Sequence, residues 1–232
     1  MPVAPSKQQT LRQPTAHAAA LSRGYDFLKR GFDLCGAVFG LLLLLLPMAV
    51  VALVVVIDSP GGPIFRQERL GRGGKPFLMY KFRSMVRDAE PNGPQWAEEH
   101  DHRCTKVGAF LRRTKIDELP QLYNILRGEM SFVGPRPERP YFYDRFQTYI
   151  PNFRERLAVK PGLTGLAQVN GGYYLPPEKK IVFDLDYISR RSVGLDLWCI
   201  CKTVCLVLTG RTADGTAAHG CGTTDTEDEE AS

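Results

Sequence analysis

Residues 34–57 read LCGAVFGLLLLLLPMAVVALVVVI, and no side chain in this stretch is charged. As a helix it would extend about 36 Å, which exceeds the bilayer's hydrocarbon thickness of about 30 Å. The sequence therefore predicts a helix that enters a membrane. It does not predict a cleaved signal peptide, because the run begins beyond residue 30 and ends in Asp58-Ser59-Pro60 without a small-residue cleavage site.

Two features oppose a single crossing by this helix. Pro47 divides it into halves of about 20 and 15 Å, each too short to span alone. Both flanks are also basic, which suits a hairpin that returns to one, cytoplasmic, face. Because proline also kinks spanning helices, the residues leave the crossing and the hairpin open. The flanking cations are Lys7, Arg12, Arg23, Lys29 and Arg30 before the run, and Arg66, Arg69, Arg72 and Lys75 after it.

The charge of the chain indicates anionic partners. The net charge is +5, and the tail from Asp214 holds several acids but no Lys or Arg, so the rest of the chain is more basic still. Beside a membrane segment, this surplus favours phosphorylated substrates and acidic membrane lipids. No nucleic-acid partner is expected.

The segment after the apolar run predicts a small α+β domain. Residues 64–85, IFRQERLGRGGKPFLMYKFRSM, predict a β-hairpin around Gly-Arg-Gly-Gly. In residues 117–128, DELPQLYNILRG, apolar side chains recur at helical spacing, with Asp117 at or beside the N-cap and Gly128 as the stop. Residues 139–150 predict a helix that is either part of the core or interfacial. Residues 195–210 predict a final helix that docks on the domain or lies in the membrane interface.

Asp117 and Glu118 form an acidic doublet among cations, which are Lys81, Arg83, Arg112, Arg113, Lys115 and Arg136. This arrangement suits phosphoryl transfer, since one carboxylate can attack phosphorus while the other holds Mg²⁺ and the cations neutralise phosphate oxygens. A helix N-terminus near Asp117 would favour its ionised form. The alternative is a solvated face of salt bridges.

Five blocks in order resemble the bacterial sugar transferase family, the monotopic phosphoglycosyl transferases that start exopolysaccharide, capsule or glycoprotein glycan assembly. They are KRGFDL (29–34), FRQERLGRGGKPFLMYKFRSM (65–85), TKIDELPQLYNILRGEMSFVGPRPERP (114–140), KPGLTGLAQVNG (160–171) and FDLDYI…LDL (183–188, 195–197). The resemblance covers about residues 24–210. Nothing resembles the extra N-terminal transmembrane helices of larger members, so the small catalytic form is expected.

The resemblance implies transfer of a sugar 1-phosphate from a UDP-sugar to undecaprenyl phosphate, with release of UMP. Asp117 would be the nucleophile that forms a phosphosugar–aspartyl intermediate, and Glu118 the Mg²⁺ ligand. Arg112 and Arg136 would bind phosphate, with Lys81 and Arg83 lining the site. The sequence contexts RPERPYF and FDLDYI favour galactose or glucose as the sugar.

The resemblance also implies a re-entrant membrane helix. The expected fold is therefore helix-rich α+β, with a re-entrant helical hairpin, a small catalytic domain with a β-hairpin, and interfacial amphipathic helices at the cytoplasmic face of the bacterial inner membrane. The expected organisation is a disordered lead (1–22), a membrane-inserted helix (23–58), a catalytic domain (59–212) and an acidic disordered tail (213–232).

Two positions depart from the family pattern. Leu46-Pro47 replaces a frequent Ser-Pro, and Gly172 stands where Arg or Lys is common. A non-catalytic membrane anchor, or a pseudoenzyme of the same family, is the rival interpretation. The Asp-Glu doublet together with Arg136 argues against it.

Overall fold

A computed structural model describes residues 16–86, 89, 90, 93, 102–171 and 175–210. Within these ranges the chain forms seven α-helices and two separate two-stranded sheets. The predicted helix-rich α+β class is confirmed. The predicted acidic tail, Gly172 and residues 1–15 of the predicted lead lie outside the described residues.

Helix α1 spans Ala16–Asp58 and carries Pro47 inside it. Its part from Gly24 to Asp58 is long and apolar enough to cross a membrane, by length and composition. The helix begins at Ala16, seven residues before the predicted start at residue 23. It also continues through Pro47, so the predicted hairpin is not confirmed as two separate helices.

One side of α1 packs on the rest of the protein both before and after Pro47. Before it, Ala37 packs in a cluster with Leu122 and Ile125. After it, Val55 packs in a cluster that includes Leu111. The other side is strongly exposed and apolar, with Phe39, Leu42, Leu43, Leu45, Leu46, Val50, Leu53 and Ile57 all more than half exposed.

The ends of the apolar run are fixed to the same domain by arginines. At the N-terminal end, Arg30 donates to the carbonyl of Ile125 at 2.7 Å and to that of Leu126 at 2.9 Å. At the C-terminal end, Arg83 donates to the carbonyls of Ser59 and Pro60 at 2.6 and 3.0 Å. Both ends of the apolar run therefore contact the same domain.

The predicted β-hairpin is confirmed. Strand β1 (Ile64–Leu70) pairs antiparallel with β2 (Pro76–Phe82), and Leu70 lies opposite Pro76. The connecting 3-10 turn Arg72–Gly74 needs positive φ at Gly73 and Gly74, 69° and 75°, a backbone conformation that glycine adopts without steric cost.

The predicted helix after the acidic doublet is shorter than expected. Helix α2 (Lys106–Thr114) is followed by a 3-10 turn, Ile116–Glu118, and helix α3 covers only Gln121–Arg127. Pro120 occupies the N-cap of α3 and Asp117 lies in the preceding 3-10 turn, so the prediction of Asp117 at or beside that cap is wrong. Gly128 ends α3 with φ of 81°, as predicted.

The remaining elements surround a second, parallel pair of strands, β3 (Ser131–Val133) and β4 (Gly162–Thr164). They are α4 (Pro140–Gln147), a 3-10 segment (Phe153–Ala158), α5 (Leu166–Gly171), α6 (Pro177–Arg190) and α7 (Val193–Thr209). Phe142 and Phe146 of α4 are buried against Phe153, which identifies α4 as a core helix. Helix α7 buries Asp196 and Cys199 and exposes an apolar stripe that includes Leu197, Val204 and Leu208.

Candidate active site

The 3-10 turn Ile116–Glu118, here called the acidic turn, presents two buried carboxylates. Lys115 precedes it with φ of 60°, which reverses the chain after α2. Ile116 before the doublet and Leu119 after it pack against the cluster under α1. Asp117 and Glu118 are only 5% and 7% exposed, so the alternative of a solvated salt-bridge face is wrong.

Glu118 is held by two cations from distant segments. Lys81 Nζ lies 2.9 Å from Oε1, and Arg136 contacts Oε1 through Nη2 at 2.5 Å and Oε2 through Nη1 at 3.3 Å. Burial alone would raise the pKa of Glu118, but Arg136 and Lys81 outweigh burial and hold it well below its usual range. These contacts favour the ionised form of Glu118, which orients both cations.

Asp117 has a different environment although it is the adjacent residue. Among the described residues, its buried Oδ1 has no hydrogen-bond partner. Burial raises the pKa of Asp117, and the negative charge of Glu118 adds to this, against the opposing effect of Lys81, Lys115 and Arg136. No α-helix begins at Asp117, so the expected stabilisation of its ionised form by a helix N-terminus is missing, and burial makes ionisation costly.

A cavity of about 530 Å³ brings most predicted site residues together. Asp117 lines it, as do all four cations assigned from the sequence, which are Lys81, Arg83, Arg112 and Arg136. Glu118 is not among the described lining residues and acts from behind Lys81 and Arg136. The side chain of Arg112 also donates to the sulfur of Cys104 at 3.1 Å.

Arg83 has a second contact set that the sequence did not predict. Its guanidinium donates to three carbonyls at the C-terminal end of α1, those of Val55, Ser59 and Pro60. The carbonyl of Val55 also accepts from the amide of Ser59 at 3.3 Å, and a cation at the C-terminal end of a helix is stabilising. Arg83 therefore joins α1 to the strand that carries Lys81, besides lining the cavity.

Residues 134–138 form a loop whose backbone is bonded at every residue, here called the clamped loop. Partners come from β4, β1 and the 3-10 segment before β4, so the loop joins three parts of the domain. The five hydrogen bonds are Gly134 N to Thr164 O (2.9 Å), Gly162 N to Pro135 O (2.9 Å), Arg156 Nη2 to Arg136 O (2.9 Å), Arg69 Nη1 to Pro137 O (3.0 Å) and Leu70 N to Glu138 O (3.1 Å).

Glycine is required where the clamped loop meets the segment 160–165. A Cβ on Gly134 would lie 2.4 Å from the carbonyl oxygen of Lys160. One on Gly162 would lie 2.1 Å from the nitrogen of Gly134, and one on Gly165 2.1 Å from its oxygen. These approaches allow backbone-to-backbone contact, which explains why the GPRP and KPGLTG blocks both carry glycine.

Sequence reasoning missed a second group of charges in the cavity. Glu138, 5% exposed, lies 3.3 Å from Arg69 and 3.4 Å from Lys180. At the cavity edge Glu90 pairs with Arg139 at 2.8 Å. Glu138 and Arg139 stand beside Arg136 in the block RPERP, which was a usable signal. Lys180 lies in a helix 42 residues away from Glu138, and no sequence signal indicated that the two would pair.

A model of the bacterial sugar transferase family matches residues 24–210. The chain belongs to this family. The matched region contains the acidic turn, the clamped loop, every described residue that lines the cavity and the apolar part of α1.

Three curated relatives show the range within the family. UDP-N-acetylgalactosamine-undecaprenyl-phosphate N-acetylgalactosaminephosphotransferase of Aeromonas hydrophila is 42% identical over 189 residues, 80% of this chain and 45% of that protein. UDP-glucose:undecaprenyl-phosphate glucose-1-phosphate transferase of Xanthomonas campestris pv. campestris is 46% identical over 172 residues, 72% and 36% of the two chains. UDP-galactose-lipid carrier transferase of Erwinia amylovora is 39% identical over 197 residues, 78% and 40%.

The chain thus spans less than half of the length of these relatives. Their names specify three different sugars, and their identities to this chain are close to one another. Similarity alone therefore selects a family without selecting a sugar.

Proposed function

We propose that this protein transfers a sugar 1-phosphate from a UDP-sugar to undecaprenyl phosphate and releases UMP, thereby starting assembly of a surface glycan. The observation that carries the proposal is a buried carboxylate, Asp117, in a cavity lined by cations, in a chain of the bacterial sugar transferase family. The names of the relatives support the same reaction type.

The charge of the cavity suits a pyrophosphate. Its described lining contains eight Lys and Arg side chains against three Asp and Glu, so an excess of positive charge remains after internal pairing. Arginine suits phosphate because its planar fork can donate two hydrogen bonds to phosphate oxygens. The volume of about 530 Å³ is within the range of about 300–1,000 Å³ that is typical of small-molecule sites.

Asp117 is the proposed nucleophile. Its oxygen attacks the phosphorus that carries the sugar, the bond between that phosphorus and the bridging oxygen breaks, and UMP leaves with the electron pair. An oxygen of undecaprenyl phosphate then attacks the same phosphorus and frees the Asp117 carboxylate. The unpartnered Oδ1 supports this role, because an oxygen without hydrogen bonds is not stabilised before the attack.

Mg²⁺ is the proposed cofactor, with Glu118 as its protein ligand. No group of three or more His, Cys, Asp or Glu side chains in the described part of the chain could hold a metal ion. Mg²⁺ is, however, usually bound by one or two carboxylates together with substrate phosphates and water. In the described structure both oxygens of Glu118 are bonded to Lys81 or Arg136 and Glu118 does not line the cavity, so it would hold an ion only after one of these cations had moved to the substrate. A bound Mg²⁺ would then neutralise phosphate charge.

We further propose that α1 is re-entrant and that the domain lies on the cytoplasmic face of the inner membrane. A helix that crossed the bilayer would carry the two ends of its apolar run to opposite faces. Here Arg30 near one end donates to the carbonyl of Ile125 in the domain, and Arg83 of the same domain donates to the carbonyl of Ser59 at the other end. The exposed apolar side of α1 and the apolar stripe of α7 would then contact lipid, placing the cavity near the phosphate of a polyprenyl acceptor.

Topology is tested by cysteine accessibility at Ser6→Cys in a version without other cysteines. Re-entrance predicts labelling only from the cytoplasmic side, the same side as a tag at the C-terminus. Labelling by an impermeant reagent from the periplasm would restore the single crossing.

The activity is tested by UMP release from a panel of UDP-sugars with undecaprenyl phosphate and Mg²⁺. We expect release with UDP-galactose or UDP-glucose, and UDP-N-acetylgalactosamine completes the panel. Without acceptor, the peptide that contains Asp117 should gain the mass of one hexose phosphate. No UMP release with any donor would favour the non-catalytic anchor. Release with intersecting kinetic lines and no mass gain would remove Asp117 as nucleophile.

A further inference from the structure

The position of Arg136 in the clamped loop depends on a buried ion pair that lies outside the cavity lining. Arg156 has a fully buried side chain, and its Nε donates to Asp184 Oδ2 at 2.7 Å. Asp184, on α6, is 1% exposed. A second arm of the same guanidinium, Nη2, donates to the carbonyl oxygen of Arg136 at 2.9 Å.

The ring contacts of Arg156 fix its orientation further. Its guanidinium carbon lies 4.9 Å from the ring centroid of Phe153 and 5.8 Å from that of Tyr143, and both rings belong to the core around α4. A guanidinium held by a carboxylate and two aromatic rings has little freedom to rotate. Its remaining contact, the carbonyl of Arg136, is therefore held in a fixed position.

Arg136 connects the clamped loop to the acidic turn through its side chain. The guanidinium of Arg136 is bonded to Glu118 in the acidic turn, while its carbonyl is bonded to Arg156. The contacts therefore form a continuous series from Asp184 through Arg156 to Arg136 and Glu118. Moving the carbonyl of Arg136 would move the base of the side chain that faces the cavity.

We propose that Arg156 and Asp184 are positioning residues for Arg136: they set where its guanidinium meets Glu118 and the substrate phosphates, without touching substrate themselves. The activity readout of this inference rests on the proposed function. A misplacement of about 1 Å in a reacting site can cost about 100-fold in rate, so a buried pair outside the cavity can be essential to turnover.

The first test is Arg156→Lys, which keeps the positive charge but cannot bond Asp184 and the Arg136 carbonyl with one rigid fork. We expect UMP release to fall by about 100-fold. The matched control is Arg190→Lys on α6, where Arg190 makes an exposed ion pair with Asp186 at 2.5 Å. That control should keep activity within about twofold, because exposed pairs contribute little.

A double-mutant cycle separates positioning from general damage. If Arg156 acts through Arg136, then Arg156→Lys should cost about 100-fold in the wild-type protein but less than about threefold in an Arg136→Lys background. Equal losses in both backgrounds would overturn the proposal. Asp184→Asn is the second variant, in case Arg156→Lys fails to fold; it keeps the shape and removes the charge, and the same dependence on Arg136 is expected.

Hydrogen exchange tests the proposal without any activity. The amide of Gly134, in the clamped loop, donates to Thr164, and the amide of Gly162 donates to Pro135 of the loop. The amide of Ile125 lies in α3, away from these bonds. In Arg156→Lys we expect the two glycine amides to exchange at least about tenfold faster while Ile125 is unchanged. Equal acceleration at all three would overturn the proposal and indicate global destabilisation. Since this readout needs no substrate, it holds even if no UDP-sugar is turned over.

Discussion

The two carboxylates of the acidic turn, Asp117 and Glu118, have opposite electrostatic environments. Glu118 is surrounded by charge: Lys81 and Arg136 bind it and hold its pKa well below the usual range. Asp117, the preceding residue, has an oxygen without a partner among the described residues, and burial raises its pKa. Two adjacent carboxylates thus differ in the direction of their pKa shift.

This difference teaches how a protein can separate structural from reactive charge. The Glu118 anion stabilises the fold, because its removal would leave two buried cations without a counter-charge. The Asp117 anion costs stability, because it is desolvated and only partly compensated. Groups whose environments push their pKa values apart are typical of active sites, where the destabilised group does the chemistry.

The largest expected effect is that of Asp117→Asn on turnover. We expect UMP release to fall by at least about 10⁴-fold, as when a nucleophile is removed, while Mg²⁺-dependent binding of the UDP-sugar remains measurable. The melting temperature should rise, because neutral Asn removes a desolvated charge. A variant that is inactive and also less stable than wild type would contradict the account of Asp117.

The stability gain should depend on pH in a defined direction. A group whose pKa is raised in the folded state contributes stability at pH below its unfolded value, and that stability is lost as pH rises through the folded value. The melting temperatures of wild type and Asp117→Asn should therefore converge as the pH falls below the raised pKa of Asp117. A constant difference across the range would show that charge is not the cause.

Glu118→Gln should have the next largest effect, and on stability in the opposite direction. Breaking a buried pair by removing one partner costs about 3–5 kcal/mol, since Lys81 and Arg136 would remain charged and unbalanced. Urea denaturation would measure this loss. Turnover should also fall, because both cations lose their orientation. The control is Asp144→Asn, which disrupts the exposed pair with Arg154 and should change stability little.

Features of the fold and the site that depend on neighbouring residues in the sequence could be predicted, and those that depend on contacts between distant segments could not. The β-hairpin, the stop at Gly128 and the cations Lys81 and Arg136 follow from local patterns, and the cavity brings them together. The prediction that placed Asp117 at or beside the N-cap was wrong. Lys115 adopts a left-handed conformation and a separate 3-10 turn follows it, and no local sequence pattern predicts either. Pro135 and Pro137 flank Arg136 and can be read from the sequence, whereas the hydrogen bonds from distant segments that also hold the loop cannot.

A smaller effect is expected for Arg136→Lys. Lysine can still pair with Glu118, so stability should change little, but the two-pronged contact with Glu118 and phosphate is lost. We expect turnover to fall by about 100-fold, the order measured when one transition-state donor is removed. Arg127→Lys is the matched control, since Arg127 is half exposed and pairs with Glu129 at the surface. Near-normal turnover of Arg136→Lys would make the residue structural and misplace the phosphate site.

The smallest expected effect is a shift of the pH profile in Lys115→Gln. Lys115 is exposed at the start of the acidic turn, and its positive charge lowers the pKa of Asp117 against the larger effect of burial. Removing this charge should raise the pKa of Asp117 further. Because the attack requires the ionised carboxylate, activity is lost as pH falls through that pKa, so the acid limb of kcat/KM should move to higher pH. The maximal rate above the limb should remain close to that of wild type.

Lys106→Gln is the control for Lys115→Gln, since Lys106 lies at the far end of α2 and is not among the charges that shift the pKa of Asp117. A limb that stays in place in Lys115→Gln, or moves to lower pH, would mean that the titrating group is not Asp117, and the contrast between the two sides of the turn would then lose its functional meaning.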